Sequence, residues 1–267
     1  MSEFRFKRFS VINERSAMKV NTDGVLLGAL MTVSGADRFA LDLGTGTGTV
    51  ALMAAQRYFD LAVTSGVSDG STRIVAIDID SPSVEEAAAN FRRSPWSSSL
   101  EAVNASLTDY AAIPFITEGE DKVSGDSIKA FEACAPESFD HIFSNPPYFE
   151  SELKSPDLRR REARHCESMS YREILSFAAR RLSGCGRLSL ILPSEIEIEL
   201  TRYARMCGLF LYRIVRIKTV AAKQPRRIVA EFSRERISYP AEEQLVMQEN
   251  GRYTDEYISL TSDFYLF

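Results

Sequence analysis

The chain has 267 residues and a net charge of -5, with 45% hydrophobic and 26% charged residues. That is the make-up of an ordinary folded protein, and it excludes disorder, collagen-like sequence and coiled coil as descriptions of the whole. Its longest apolar stretches, such as Leu188–Leu192, are too short to cross a bilayer, and Met1–Phe9 alternates charge with Phe and has no apolar signal core.

The four cysteines form no CxxC pair and there are two histidines, so no zinc pattern exists and the cysteines are expected as thiols. These features predict a cytoplasmic protein with no metal and no membrane partner, and a monomer. The charge is uneven. Basic residues crowd Arg159–Arg164 and Arg202–Arg236, while the acidic excess lies at Glu118–Asp121, Glu195–Glu199 and Glu242–Glu243. A basic face on an acidic body suits a polyanionic substrate, and solvated helix and strand faces are the bland alternative.

In chain order, Phe4–Phe9 reads as a short strand with alternating faces, and Lys19–Ala29 leads into a helix that Thr22 and Asp23 are placed to cap. Phe39–Leu43 is a strand, Val50–Tyr58 a helix, and Ile74–Asp78 the next strand. Ser83–Phe91 is helical, with Ser81 as N-cap ahead of Pro82. Leu100–Asn104 and Phe139–Ser144 are strands, Tyr171–Leu182 a helix, Arg187–Leu192 a strand, Glu195–Cys207 a helix, and Leu209–Lys218 and Ile228–Phe232 two more strands. Two polar insertions, Ser65–Thr72 and Ile116–Pro136, read as loops, the second with a short helix near Ile128–Ala133. Strands alternating with helices predict a mostly parallel α/β sheet covered on both faces. No linker divides the chain, so one domain is expected: an N-terminal segment over 1–38, a Rossmann-like core over 39–233 and an extension over 234–267.

The strand at 39–43 runs into Asp42-Leu43-Gly44-Thr45-Gly46-Thr47-Gly48 and then a helix. Glycines there permit positive φ and let backbone amides approach a ligand. A dinucleotide fingerprint fails at Thr49, where its third glycine belongs, and a phosphate loop fails for want of Lys. An acid two positions before the first glycine suits a cationic ligand instead. Asp78, ending the next strand, is placed to accept both hydroxyls of a ribose. A glycine-rich turn with a helix-capping Asp is the competing structural account.

Asn145-Pro146-Pro147-Tyr148 follows a buried strand. An exocyclic or amide nitrogen is a poor nucleophile because its lone pair is delocalised. Two acceptors aimed at its protons, the Asn145 side-chain oxygen and the Pro146 carbonyl, draw it toward tetrahedral geometry. The prolines stiffen the turn, and Tyr148 offers a stacking face worth about 1–3 kcal/mol per base. A base in a stacked helix cannot reach such a turn, so the target is flipped out or unpaired. Arg159, Arg160, Arg161, Arg164 and His165 follow closely, and Lys223, Arg226 and Arg227 form a second cluster; both are placed to hold flanking phosphates.

With DLGTGTG, VAID and SNPPY in this order, the chain resembles the class I S-adenosylmethionine-dependent methyltransferases of the amino-methylating branch. That resemblance implies a seven-stranded sheet with its last strand antiparallel, and S-adenosylmethionine held by Thr22, Asp42, Gly44, Thr45, Gly46, Gly48, Asp78, Ile79, Ser106, Leu107 and Asn145. Ser106 stands where the branch often has an acid. Through KVNTDGVLLGA, SNPPYF, REARH, KQPRR and the closing YTDEY and DFYL, the chain is similar to the tRNA1(Val) (adenine-37-N6) methyltransferase family. This implies tRNA as partner, with Lys19 and Tyr148 among the residues toward substrate and N6 of an anticodon-loop adenine as acceptor. The alternatives are glutamine-N5 methylation of a release factor, methylation of a ribosomal-RNA base amine, and a cofactor-binding scaffold without catalysis. Release-factor enzymes carry a helical domain before the core, and Lys19 already belongs to the core motif here.

Overall fold

The computed structural model describes residues 2–16, 18–66, 72–112, 136–147 and 169–266. Tyr148, the Arg159–His165 cluster, five of the eight residues of the first polar insertion and all but Pro136 of the second lie outside that set.

The N-terminus is a hairpin rather than a single strand, with β1 (Glu3–Arg5) antiparallel to β2 (Ser10–Ile12). The turn closes because Phe6 and Phe9 stack at 4.5 Å and the Phe6 amide donates to the Phe9 carbonyl at 2.9 Å. α1 (Thr22–Leu30) follows, and its cap is Asn21, whose Oδ1 accepts from the Gly24 amide at 2.8 Å. Thr22 and Asp23 therefore stand inside the first turn, and Asp23 is taken up by an ion pair with Arg227 at 2.9 Å.

The core alternates as the pattern predicts: β3 (Phe39–Leu43), α2 (Thr49–Thr64), β4 (Arg73–Asp78), α3 (Ser81–Arg92), β5 (Leu100–Asn104), α4 (Leu107–Ala112), β6 (Phe139–Ser144), α5 (Tyr171–Arg181), β7 (Leu182–Pro193), α6 (Glu197–Met206), β8 (Phe210–Val220) and β9 (Arg227–Ser233). α3 is capped by Asp80, not Ser81: Asp80 Oδ2 accepts from the Ser83 amide at 3.0 Å, which puts Ser81 and Pro82 in the first turn, where Pro costs no hydrogen bond.

The sheet has nine strands, in the order β11-β10-β8-β9-β7-β6-β3-β4-β5, rather than seven. The seven from β8 to β5 carry the implied arrangement, with β9 antiparallel to both neighbours. The surplus comes from the C-terminal extension. β10 (Ala241–Glu249) adds parallel to β8, and β11 (Arg252–Tyr253) turns back on it before α7 (Asp255–Thr261). Only Leu245 of β10 is buried, so its sequence AEEQLVMQE carries no core-strand signal.

Strand parity divides the apolar residues between two cores. Ala40, Ile74, Ala76 and Phe143 face α1, α2 and α3, whereas Leu41, Leu43, Val75, Ile77, Ile142 and Leu188 face α4, α5 and α6. Beneath the first core lies a buried polar network that periodicity does not reveal. The Tyr58 hydroxyl lies 2.9 Å from Asp37 Oδ2 and 2.8 Å from His141 Nδ1. His141 Nε2 meets the Ser189 hydroxyl at 2.9 Å, which donates to Glu231 at 2.7 Å. Arg187 pairs with Asp37, and Arg213 with Glu231 at 2.9 Å. Burial holds His141 well below the usual histidine range, hence neutral. Among the described residues, no helix is long and apolar enough to cross a membrane.

Candidate active site

The chain runs outward from β3 to β4 and β5, then returns to place β6 on the other side of β3. The crevice at the carboxyl ends of β3 and β6 is therefore the topological switch point, where doubly wound sheets bind ligands. The glycine loop leaves β3 and Asn145 leaves β6 at adjacent registers, since Leu43 pairs with Ser144. The Ser144 hydroxyl locks the two ends together by donating to the Leu43 carbonyl at 2.6 Å.

Gly44, Gly46 and Gly48 all have positive φ, at 72°, 54° and 80°. At Gly48 a side chain would also be refused sterically, and at Gly44 the neighbour would have to give. A Cβ on Gly48 would stand 2.5 Å from a Phe91 ring carbon, and one on Gly44 would lie 3.3 Å from Met169 Cε. The loop amides of Gly44 and Thr45 donate back to the Ile77 carbonyl at 2.9 and 3.0 Å, and Gly46 N donates to Asp78 Oδ2 at 2.8 Å.

Asp42 is 1% exposed, and Thr45 Oγ1 donates to its Oδ2 at 2.7 Å. Burial pushes its pKa up to about 7, and the Thr45 hydroxyl, outweighing the Asp78 charge, opposes that rise. Burial likewise raises Asp78, against the pull of the Asp80 and Gly46 amides. Asp78 Oδ1 accepts from Asp80 N at 3.0 Å, and the carboxylate keeps room for another donor. Two carboxylates in one partly dehydrated crevice form a strong local demand for positive charge and hydroxyl donors.

The remaining expected cofactor residues line the same edge. Thr22 is exposed at the start of α1, Ile79 is 61% exposed beyond β4, and Ser106 and Leu107 open α4. Ser106 Oγ donates to Asp109 Oδ2 at 2.6 Å. An acid, Asp109, therefore stands beside Ser106, three residues on. Asn104 also went unmarked by the sequence; its Nδ2 donates to the Asp78 and Ile79 carbonyls, both at 3.0 Å, and fixes the strand end.

Asn145 is the centre of the arrangement. Its Nδ2 approaches Met18 Sδ at 3.8 Å. Its Oδ1 is shielded from solvent and has no hydrogen-bond donor among the described residues. Such an acceptor costs free energy to bury, so its natural complement is an N–H brought by a ligand. Pro146 is buried beside it and Pro147 half-buried.

The expected substrate residues separate. Lys19 Nζ donates to the Asn13 and Glu14 carbonyls at 2.7 and 3.0 Å, so its charge fastens the N-terminal segment. Arg227 holds Asp23 at the start of α1. Lys223 and Arg226 are exposed on the β8–β9 turn, on the edge of the sheet that carries the glycine loop. Elsewhere in the basic stretch, Arg216 is absorbed by Glu197 and Glu242, and Arg213 by Glu231 and Glu243. Among the described residues no group of His, Cys, Asp and Glu could hold a metal ion.

No protein-family model matches the chain. It is 36% identical over 263 residues to the tRNA1(Val) (adenine(37)-N6)-methyltransferase of Bacteroides fragilis, covering 98% of this chain and 97% of that protein. It is 35% identical over 265 residues to the protein of the same name from Trichodesmium erythraeum, covering 99% and 98%. Among solved structures, a predicted O-methyltransferase from Agrobacterium tumefaciens aligns with a TM-score of 0.59 at 18% identity, over 91% of this chain and 96% of that one. The last likeness is one of fold, that of the Rossmann-like methyltransferases.

Proposed function

The chain belongs to the tRNA1(Val) (adenine(37)-N6)-methyltransferase family, and from that premise we propose that it methylates N6 of adenine 37 in tRNA1(Val) at the Asn145 corner. The observation that carries the site assignment is Asn145 Oδ1, buried where β6 meets the glycine loop and without a hydrogen-bond donor among the described residues. S-adenosylmethionine, when bound, supplies an electrophilic methyl group on a cationic sulfur. The left-handed glycines, the paired acids Asp42 and Asp78 and the exposed apolar Ile79 fit such a ligand: a backbone without side chains in the way, hydroxyl acceptors and a surface for a planar ring. Thr22, Asp42, Gly44, Thr45, Gly46, Gly48, Asp78, Ile79, Ser106 and Leu107 would hold it.

Asn145 Oδ1 and the Pro146 carbonyl accept the two N6 protons and localise the nitrogen lone pair toward the donor. Pro146 and Pro147 hold that geometry rigid, and Tyr148 stacks on the extruded base. No side chain with a shifted pKa has to remove a proton before transfer, because the nitrogen becomes acidic only as the new bond forms. The proton then leaves to solvent. Lys223 and Arg226, with the Arg159, Arg160, Arg161, Arg164 and His165 cluster, hold phosphates flanking the adenine; Lys19 and Arg227 support that surface through the contacts they already make. A monomer acting in the cytoplasm, where its RNA is found, completes the proposal.

The test is incubation of purified protein and labelled cofactor with separate pools of tRNA, ribosomal RNA and release factor, followed by nucleoside analysis. Label confined to tRNA as N6-methyladenosine supports the assignment. Label only in release factor or in ribosomal RNA overturns it.

A further inference from the structure

One buried face of α3 is polar. Ser83, Glu86 and Asn90 recur at helical spacing, and each is at most 4% exposed. Polar groups so placed need partners, and all three find them in the N-terminal segment. Glu86 Oε1 accepts from the amides of Glu14 and Arg15 at 2.7 and 2.9 Å, and its Oε2 accepts from that of Ser16 at 3.0 Å. Ser83 Oγ, whose proton goes to Asp80 Oδ2 at 2.6 Å, lies 3.0 Å from Ser16 Oγ. Asn90 accepts from the Ile12 amide at 2.8 Å and donates to its carbonyl at 3.0 Å, while the same Nδ2 donates to the Thr47 carbonyl of the glycine loop at 2.9 Å. Lys19 closes the segment on itself through the Asn13 and Glu14 carbonyls.

This segment ends over the reaction corner. Ser16 Oγ donates to the Met18 carbonyl at 3.2 Å, and a Cβ on Gly46 would sit 3.5 Å from Ser16 Oγ and 3.8 Å from the Met18 carbonyl. The Met18 thioether accepts from Asn145 Nδ2 at 3.8 Å. An amide has two orientations differing by a half-turn. Only the one with Nδ2 toward the sulfur leaves Oδ1 free for an incoming amine, because a thioether has no proton to donate.

We propose that Ser83, Glu86 and Asn90 form a latch that holds the N-terminal segment across the glycine loop, and that Met18, so held, is a positioning residue that orients the Asn145 amide for methyl transfer. This rests on the amine-methylating function proposed above. The two layers separate experimentally: the latch acts on the segment and on cofactor retention, whereas Met18 acts on turnover.

The full chain is compared with its Glu86→Ala, Met18→Leu and Met18→Gln variants by amide hydrogen exchange, by calorimetric binding of S-adenosylhomocysteine and by turnover of a tRNA transcript. Removing Glu86 strips three amides of their acceptor. The Glu14, Arg15 and Ser16 amides then exchange at least about tenfold faster, and S-adenosylhomocysteine binds about tenfold more weakly. Met18→Leu fills the same space without an acceptor, so kcat falls roughly three- to tenfold with S-adenosylhomocysteine affinity within about twofold. Met18→Gln restores an acceptor and recovers most of kcat, which packing alone would not do. Unchanged exchange at residues 14–16 in Glu86→Ala overturns the latch. A Met18→Leu enzyme with wild-type kcat, or a Met18→Gln enzyme no better than Met18→Leu, overturns the positioning role. If Glu86→Ala fails to fold, the two Met18 variants decide, since Met18 is 40% exposed. A wild-type chain that leaves tRNA unmethylated defeats the proposed function, while exchange and binding still report on the latch.

Discussion

Asp42 gives the sharpest quantitative test, because its burial opposes its charge. Its ordinary value of 3.8 rises to about 7 in the folded chain. Below pH 4 the carboxyl is protonated whether folded or not and carries no penalty. Between pH 4 and pH 7 the unfolded chain releases this proton while burial keeps the folded carboxyl neutral, so the stability present at low pH is lost, and the loss levels off as the folded carboxyl ionises above 7. At about 1.4 kcal/mol per pH unit, the loss accumulated between pH 5 and pH 8 is roughly 2–3 kcal/mol. Asp42→Asn removes the charge while keeping an oxygen for the Thr45 hydroxyl. Urea denaturation of the ligand-free variant should therefore show its stability relative to wild type growing by about that amount between pH 5 and pH 8. Calorimetry should show the reverse cost: weaker binding of S-adenosylmethionine, most marked above pH 7, where the wild-type carboxylate is charged. A stability difference that does not vary with pH would refute the reasoning, as would cofactor affinity untouched by the substitution.

Asn145→Ala should lower kcat by at least about a hundredfold while leaving S-adenosylhomocysteine affinity within a few-fold, measured by single turnover and calorimetry. Near-normal kcat would remove Asn145 from the chemistry. Gly48→Ala places a methyl 2.5 Å from the Phe91 ring at a φ of 80°; a loss of roughly 2–4 kcal/mol by denaturation is expected, together with much weaker cofactor binding. Replacing Lys223 and Arg226 together by Ala should reduce the salt dependence of tRNA binding by about one to two phosphate contacts. An unaltered slope in filter binding would take the β8–β9 turn out of the RNA surface. Arg227→Ala, by contrast, should behave like Asp23→Ala, the pair showing coupling of about 0.5–1 kcal/mol in a double-mutant cycle because the two are half-buried.

Asp42, the alternate glycines, Asp78 and the Asn-Pro-Pro turn were all legible in the sequence because each is local. A left-handed turn, a strand end and a proline corner are written in a few consecutive residues. Alternation of strand and helix gave the order of elements for the same reason, and its errors are equally local. Asn21 and Asp80 took the cap positions one residue before those expected, since neighbouring polar residues compete for the same amides. β10 stayed hidden because a strand that covers a sheet edge and buries one residue carries no apolar period.

The linear sequence thus settled the class of fold and named Asp42, Asp78 and Asn145, which the structure brings to neighbouring strand ends. Which charges remain for RNA was decided only in three dimensions. Arg213, Arg216 and Arg227 look alike along the chain as a basic run, yet each meets carboxylates 18 to 204 positions away, from Glu231 on the next strand to Asp23 on α1. The same holds for Met18 and Asn145, far apart in sequence and drawn to one corner, and for Glu86 with the amides of residues 14–16. Side-chain identity and spacing follow from covalent order, whereas pairing across tens of residues depends on how the sheet brings its strand ends together.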